Sequence, residues 1–334
     1  MSAPSERRQG SHILPLLLLL LAATPALSDP VWVVSQKGAE LARIEAVQVA
    51  DRTPVDQAPI TAAADRAGRL YLTHPDGRAV TVIEPGKPPR RVPVPAQAFG
   101  LAASPDGASL FVGDWSGDRI LRVSCVDGAV EGTVAVGHVP AHLVLDRRGR
   151  LYVADRESRQ VSVVDTGTMT RIAVVPTGDA PFALALDPDE TRLYVANVRS
   201  GDLTVIDTDT LRARATVAAG RMPYGVAVTA DGARILVTNQ HAAAVTVIDA
   251  AGLGIVATVA VGPYPEGVAV AGSRAYVANW FSDDVSVIDL STLRETARLP
   301  VAEGPRGVLA ARPGGEPSRA AAVDLRANGG VRPR

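Results

Sequence analysis

The sequence has little of what several protein classes require. Of its 334 residues only one is cysteine and 4% are aromatic, and its acidic and basic side chains nearly cancel to a net charge of −1. A single cysteine, Cys125, excludes an intramolecular disulfide framework, a CxxCH haem attachment and a multi-cysteine zinc or iron–sulfur site. The absence of a basic excess argues against nucleic-acid binding. An apolar fraction of 47% excludes a chain that is disordered throughout.

Only one apolar run is long, and it lies at the N-terminus. Arg7 and Arg8 precede a leucine-dominated stretch over residues 13–23, and residues 26–28 (Ala-Leu-Ser) form a small-x-small cleavage site. The stretch is too short to span a bilayer comfortably. We therefore expect residues 1–28 to be a signal peptide cleaved near Ser28, and the mature protein to be periplasmic or secreted, without stable membrane insertion. A retained membrane anchor is the alternative.

The rest of the sequence repeats itself with a period near forty residues. The aligned positions, spaced by 39 to 42 residues, are Trp32, Tyr71, Phe111, Tyr152, Tyr194, Leu236 and Tyr276. Each is followed by two further β-rich runs, by a joint that often reads Gly-x-x-Pro, and by a fourth run. Four short strands per repeat, with alternating apolar residues and many β-branched side chains, are typical of a propeller blade.

The number and the ends of the repeats predict a closed ring. Residues 29–312 accommodate seven repeats of this length, beginning at the second strand of a blade. Residues 305–311 form an innermost strand that no second strand follows, so we expect them to complete the N-terminal blade and to remove the exposed sheet edges. The prediction is an all-β, monomeric seven-bladed β-propeller of four-stranded antiparallel blades over residues 29–312, followed by a disordered tail over residues 313–334.

Three copies of the repeat carry a recognisable motif. Residues 194–197 and 276–279 (Tyr-Val-Ala-Asn) and residues 236–239 (Leu-Val-Thr-Asn) are each followed by a run of the type Val-Ser/Thr-Val-Ile-Asp. This pattern resembles the YVTN family of β-propellers, which includes YncE-like periplasmic proteins and surface-layer proteins. The resemblance covers essentially all of the mature chain and implies a seven-bladed propeller, but no particular reaction. The same fold class includes propeller subunits of amine dehydrogenases and the haem-bearing domain of cytochrome cd1-type nitrite reductases.

Repeated polar residues are better explained by turns and packing than by ligand binding. Counted from the innermost strand of a blade, the third strands end in aspartates, and a carboxylate there can accept a backbone N–H two residues further on. The partners of a six-oxygen calcium cage are absent nearby. We also interpret asparagines at strand ends as turn residues and the repeated tyrosines as inter-sheet packing. The residues concerned are Asp127, Asp165, Asp207, Asp249, Asp289, Asn197, Asn239 and Asn279.

Residues with less common chemistry gather on one predicted face, which carries the loops joining strands four to one and strands two to three. Two tryptophans and all four histidines of the mature chain map to these loops and joints: Trp115, Trp280, His74, His138, His142 and His241. The residue after each joint faces the mouth of the central channel. In order round the ring these residues are Ile60, Phe99, Ala141, Phe182, Tyr224, Glu266 and Arg306.

This arrangement predicts a shallow aromatic pocket with an acid–base clamp, suited to a small ligand or to a protruding side chain of a partner. The competing interpretation is an ion pair that only closes the channel over packed rings. The candidate ligand- or partner-binding residues are Phe99, His142, Phe182, Tyr224, Glu266, Arg306, Trp115, Arg199, His241 and Trp280.

The sequence favours a non-catalytic propeller that binds a periplasmic protein or a small ligand, and it assigns no catalytic residue, metal or cofactor. A calcium-dependent lactonase would need several carboxylates in the channel, and the innermost strands supply only Glu266. A lyase with His142 or His241 as general base stays an alternative. So does a haem- or quinone-handling accessory protein with His138 or His142 as an iron ligand.

Overall fold

The computed structural model describes residues 29–310, and within this range the protein is built from strands. The signal peptide predicted over residues 1–28 and the tail predicted over residues 313–334 lie outside the described residues. Two short 3-10 turns, Arg156–Ser158 and Gln240–Ala242, interrupt the strands. No helix in the described part of the chain is long and apolar enough to cross a membrane.

Seven four-stranded antiparallel sheets form the blades, which confirms the predicted fold. The first blade contains β1 (Val31–Ser35), β2 (Glu40–Glu45), β3 (Gln48–Pro54) and β28 (Pro305–Ala310). The other blades, each given from its innermost strand outward, are β4 (Ala62–Ala64), β5 (Leu70–His74), β6 (Ala79–Ile83) and β7 (Arg90–Pro93); β8 (Ala98–Ala103), β9 (Ser109–Asp114), β10 (Arg119–Ser124) and β11 (Val130–Ala135); β12 (Pro140–Leu145), β13 (Arg150–Asp155), β14 (Gln160–Asp165) and β15 (Thr170–Pro176); β16 (Pro181–Leu186), β17 (Arg192–Asn197), β18 (Asp202–Asp207) and β19 (Arg212–Ala218); β20 (Pro223–Val228), β21 (Arg234–Asn239), β22 (Ala244–Asp249) and β23 (Ile255–Ala260); and β24 (Pro265–Ala271), β25 (Arg274–Asn279), β26 (Asp284–Asp289) and β27 (Arg294–Pro300).

The ring closes where the sequence predicts. Strand β28 pairs antiparallel with β1, with Val33 opposite Val308 and Val31 opposite Ala310. The last strand thus becomes the innermost strand of the first blade. This pairing covers an edge of β1 that would otherwise be free to pair with another chain. Strand β28 also packs against β24 of the preceding blade.

The core lies between neighbouring blades, where the second strand of each blade is buried on both faces. The tyrosines Tyr71, Tyr152, Tyr194 and Tyr276 are fully buried, which confirms their predicted packing role. Buried tyrosine hydroxyls require partners. Tyr71 donates to the Asp65 carboxylate at 2.8 Å, and Tyr276 donates to the carbonyl oxygen of Ala46 at 2.7 Å.

The aspartates that follow or end the third strands form turns, as predicted. Asp289 accepts hydrogen bonds from the hydroxyl of Ser291 at 2.6 Å and the backbone N–H of Thr292 at 2.8 Å. These bonds lower the pKa of Asp289 to about 2. The predicted tight turns are also present, since Gly107 donates its N–H to the carbonyl oxygen of Ser104 at 2.8 Å with a left-handed φ of 63°.

The polar residues that end the second strands do more than form turns, and here the sequence interpretation was incomplete. Asn239 is buried, and its Nδ2 donates to the hydroxyl of Thr246 on the third strand at 2.8 Å. His74, expected in a loop between strands two and three, is instead the last residue of β5, is 1% exposed, and bonds to Thr81 at 2.9 Å. Aligned side chains therefore tie the second strand to the third.

The same side chains explain the glycine of the Gly-x-x-Pro joint. A Cβ on Gly262 would lie 2.5 Å from the amide carbon of Asn279, and a Cβ on Gly220 would lie 2.3 Å from Oδ1 of Asn239. Real carbon atoms do not approach so closely. The joint therefore needs glycine because the strand-end amide packs against its backbone.

Candidate functional site

The innermost strands meet at the channel mouth and share a pattern. Five of the seven begin with a proline followed by a variable residue, and in four of the seven a glycine follows the variable residue. A Cβ on Gly225 would lie 2.4 Å from the carbonyl oxygen of Glu266, and one on Gly267 would lie 2.5 Å from that of Arg306. In β20 the strand register shifts between Pro223 and Val226, which is the signature of a bulge. The glycine admits the neighbouring backbone, and the bulge re-aims the variable side chain between neighbouring blades.

A cavity of about 230 Å³ lies at this mouth. Three aromatic rings form its wall: the centroids of Phe182 and Tyr224 are 4.2 Å apart, and those of Phe99 and Phe182 are 6.0 Å apart. Trp115, which does not line the cavity, packs on Phe99 with centroids 4.2 Å apart. Ile60, His142 and Arg306 also line the cavity. The structure thus brings five of the seven predicted ring residues together around one concave space, whereas Ala141 and Glu266 do not line it.

Arg306 is the centre of the polar contacts at the mouth. Its Nη1 donates to Oε1 of Gln36 at 2.9 Å, and its Nη2 donates to the hydroxyl of Tyr224. Its Nε lies 3.2 Å from Oε2 of Glu266. The guanidinium faces three rings, with centroids 5.7 Å away for Trp280 and 5.9 Å away for both Phe99 and Tyr224. Trp280 and Arg306 therefore lie at the same end of the channel.

Glu266 is buried behind Arg306 rather than exposed on the cavity wall. Its residue surface is 4% exposed, and Gln240 donates to its Oε1 at 3.2 Å. Its Oε2 receives no hydrogen bond from the described residues. Burial raises the pKa of Glu266 to about 7, although the positive charge of Arg306 acts in the opposite direction. Glu266, which the sequence predicted to form part of the binding surface, is therefore a buried partner of Arg306.

His142 lies on β12 and lines the cavity from the opposite side. Its Nδ1 accepts the backbone N–H of Leu184 at 3.2 Å. Burial lowers the pKa of His142 to about 4, so the ring is neutral near pH 7. A neutral ring whose Nδ1 accepts a hydrogen bond carries its proton on Nε2.

Five of the ten predicted site residues do not line the cavity. Glu266, Trp115 and Trp280 contact residues that line it, whereas Arg199 and His241 have other partners. Arg199 is exposed on the rim, where it donates to Glu157 at 2.8 Å and lies 3.7 Å from Asp179. His241 is exposed too, and its ring centroid is 6.2 Å from that of Tyr264. The sequence placed both on the correct face, but their distance from the channel depends on loop paths that a repeat alignment does not give.

Sequence reasoning missed Gln36, Gln240 and Tyr264. Gln36 and Gln240 hold the two members of the ion pair, and Tyr264 stacks on Phe281 with centroids 4.8 Å apart. A signal for the glutamines was present, because each follows the last residue of a second strand. Trp115 and Trp280, which were identified, occupy the same position of the repeat.

Within residues 29–310, no group of three or more histidine, cysteine, aspartate or glutamate side chains is placed to hold a metal ion. Among the innermost strands in this range, Glu266 is the only acid. Its one charged neighbour at the mouth is a guanidinium, which would oppose a cation.

Comparison with known proteins gives the fold more firmly than the activity. Residues 146–268 match one family model, described as the cytochrome D1 heme domain. No curated protein matches the chain. These findings support a β-propeller family. Membership of the YVTN family stays a prediction.

Solved structures from enzymes and from a protein of unknown function share the fold. One of hydrazine synthase from Kuenenia stuttgartiensis is 22% identical, with 75% of this chain and 88% of that chain covered and a TM-score of 0.66. A functionally unknown protein from Desulfotomaculum acetoxidans is 14% identical, with 86% and 100% covered and a TM-score of 0.73. Virginiamycin B lyase from Staphylococcus aureus is 14% identical, with 75% and 88% covered and a TM-score of 0.65. At these identities the likeness shows the fold alone.

The haem named in the family description does not fit the mouth. Cavities for drug-sized ligands have volumes of roughly 300–1,000 Å³, and this one measures about 230 Å³. A histidine that binds a metal usually donates its other ring N–H to an acceptor. His142 does the reverse, since its Nδ1 accepts from Leu184. His241 is the only histidine of the matched segment, and it lies on the exposed rim.

Proposed function

We propose that the protein is an exported propeller that binds a small organic ligand at the channel mouth and does not transform it. The observation that carries this proposal is the cavity of about 230 Å³ bounded by Phe99, Phe182 and Tyr224, with Arg306 in its wall. Concave, mostly apolar sites with a few fixed polar groups are typical of ligand pockets. Membership of the YVTN family and a periplasmic location belong to the same proposal.

Binding is favoured over catalysis by the position of the titratable groups. A general acid or base must come within hydrogen-bond reach of the reacting atoms. Glu266 has a pKa suited to that task, but it lies behind Arg306 and does not line the cavity. His142 lines the cavity, yet its Nδ1 is engaged by Leu184 and its pKa of about 4 makes it a weak base at neutral pH.

A small ligand is favoured over a protein partner by the shape of the site. The rings of Phe99, Phe182 and Tyr224 are half-buried and pack on one another around a concave space. Phe281, at 66% exposed, projects from the rim instead. The aromatic surface of the mouth is therefore directed inward, where only a compact group can reach it.

Ligand-detected NMR with a library of small aromatic and aliphatic fragments tests the proposal. We expect fragments that bind the wild-type protein to lose binding in Phe182→Ala, because this substitution removes the ring shared by the two aromatic contacts of the wall. Phe281→Ala is the matched control, since it is the same type of substitution at an exposed phenylalanine on the rim, outside the cavity. If no fragment binds, or if Phe182→Ala leaves binding intact, the mouth is not the ligand site.

A further inference from the structure

We infer that the ligand of the proposed site is an anion of the carboxylate class, which pairs with Arg306 and is bound together with a proton that neutralises Glu266. This inference rests on the proposed binding function and adds the charge of the ligand to it. It arises from the geometry of the guanidinium, from the charges that surround it and from the burial of the acid behind it.

Arg306 retains donors for a ligand. A guanidinium has five N–H groups in a planar fork that matches a carboxylate. Among the described residues, it donates one hydrogen bond to Gln36 and one to Tyr224, while its Nε faces Glu266 without forming a hydrogen bond. The side chain also lines the cavity. A carboxylate at this point would receive charge-assisted hydrogen bonds, which are the stronger kind.

Three aromatic rings at the mouth already face the cation of Arg306, and this favours an anionic ligand over a cationic one. The Arg306 guanidinium faces Phe99, Tyr224 and Trp280 at 5.7 to 5.9 Å from their centroids. A cationic ligand would meet this fixed positive charge at close range. The ring of Phe182, which has no such contact among the described residues, is available to the apolar body of the ligand.

Glu266 supplies the proton linkage because few groups compensate its charge. Arg306 faces it from β28, Tyr224 from β20, Gln240 from the end of β21, and Tyr264 lies in the loop before β24. Burial holds the pKa of Tyr224 above its ordinary range, so that ring is neutral. Of these groups only Arg306 carries a charge that can balance an ionised Glu266.

An incoming anion competes with Glu266 for the same guanidinium. Two negative charges around one half-buried cation raise the pKa of the carboxyl that stays, as in other closely spaced acid pairs. The pKa of Glu266 is already about 7, so protonation at neutral pH is within reach. Protonation of Glu266 leaves the half-buried charge of Arg306 uncompensated, and the ligand replaces the lost counter-charge.

The first experiment uses the full-length protein and three probes of nearly the same shape: benzoate, benzamide and benzamidine. Isothermal titration calorimetry at pH 6.5 is expected to give benzoate an affinity at least tenfold higher than that of either of the others, as one charge-assisted pair would produce. If benzamide or benzamidine binds as tightly, the anion inference is wrong and the binding function stands. If none of the three binds, both fail.

The second experiment follows the proton. Benzoate affinity should rise roughly tenfold between pH 8.5 and pH 6, with proton uptake visible as a dependence of the binding heat on the buffer. In Glu266→Gln, which keeps the shape and removes the titration, affinity at pH 8.5 should match that of the wild type at pH 6 and change little with pH. His138→Gln, on the exposed rim, is the control and should keep the wild-type profile. If benzoate affinity in Glu266→Gln depends on pH as it does in the wild type, the proposed proton linkage is wrong.

Discussion

The burial of Glu266 predicts how the stability of the protein depends on pH. In the folded state its pKa is about 7, whereas an exposed glutamate has the ordinary value of 4.5. The folded protein therefore holds a proton that the unfolded chain releases between these two values. Stability from this group is fully present below pH 4.5, falls as the pH rises towards 7, and does not fall further above it. Glu266→Gln should remove this dependence.

The size of the effect follows from the same two values. A change in pKa from 4.5 to about 7 corresponds to about 3 kcal/mol in the free energy of unfolding. The attraction of Arg306 is already included, because it opposes the rise. At pH 8.5 the glutamine variant should thus gain about 3 kcal/mol over the wild type, relative to their difference at pH 4.5.

Urea unfolding at half-unit steps from pH 4.5 to pH 8.5 measures this difference, and all other titrating groups cancel between wild type and variant. Glu303→Gln is the control, because Glu303 is an exposed glutamate that pairs with Lys37 at 3.2 Å and exposed pairs contribute little. A difference between Glu266→Gln and wild type that stays constant over this range, or that changes in the opposite direction, would refute the buried-acid argument.

Two further predictions concern the fold. A chain that ends at residue 304 lacks β28 and leaves one edge of β1 unpaired, so light scattering should show aggregation that a chain ending at residue 312 does not show. Thr246→Val removes the hydroxyl that accepts from buried Asn239, and chemical unfolding should show a loss of about 1–3 kcal/mol, the usual cost of an unsatisfied buried donor. A loss below about 0.5 kcal/mol would mean that another acceptor replaces the hydroxyl.

The sequence predicts the fold well because the same blade pattern is repeated seven times along the chain. Each copy carries the same alternation of apolar residues, the same turn chemistry and the same joint, so an error in one copy is corrected by the others. Strand β4, which contains only Ala62–Ala64, is an example. Its own sequence is weak evidence for a strand, but its position between a joint and β5 identifies it.

The site is predicted less completely because its chemistry depends on contacts between different blades. That Glu266 and Arg306 are neighbours follows from the order of the ring, but that Glu266 lies behind Arg306 depends on the depth of each side chain. His74 was misplaced for a related reason. It was placed in the loop after the second strand, whereas its alignment with Asn239 and Asn279 indicates the last, buried position of that strand.

The chemistry of the mouth follows from the positions that the fold leaves free. In most innermost strands the first residue is proline, and in four of them a glycine two residues later admits the neighbouring backbone, so both residues serve the architecture. The residue between them varies round the ring and is not needed for strand pairing. A buried ion pair is weak evidence for stability, since apolar residues of similar size are often as stable or more so. Folding stability therefore does not explain why Glu266 and Arg306 occupy these positions, whereas recognition of a charged ligand in the cavity does.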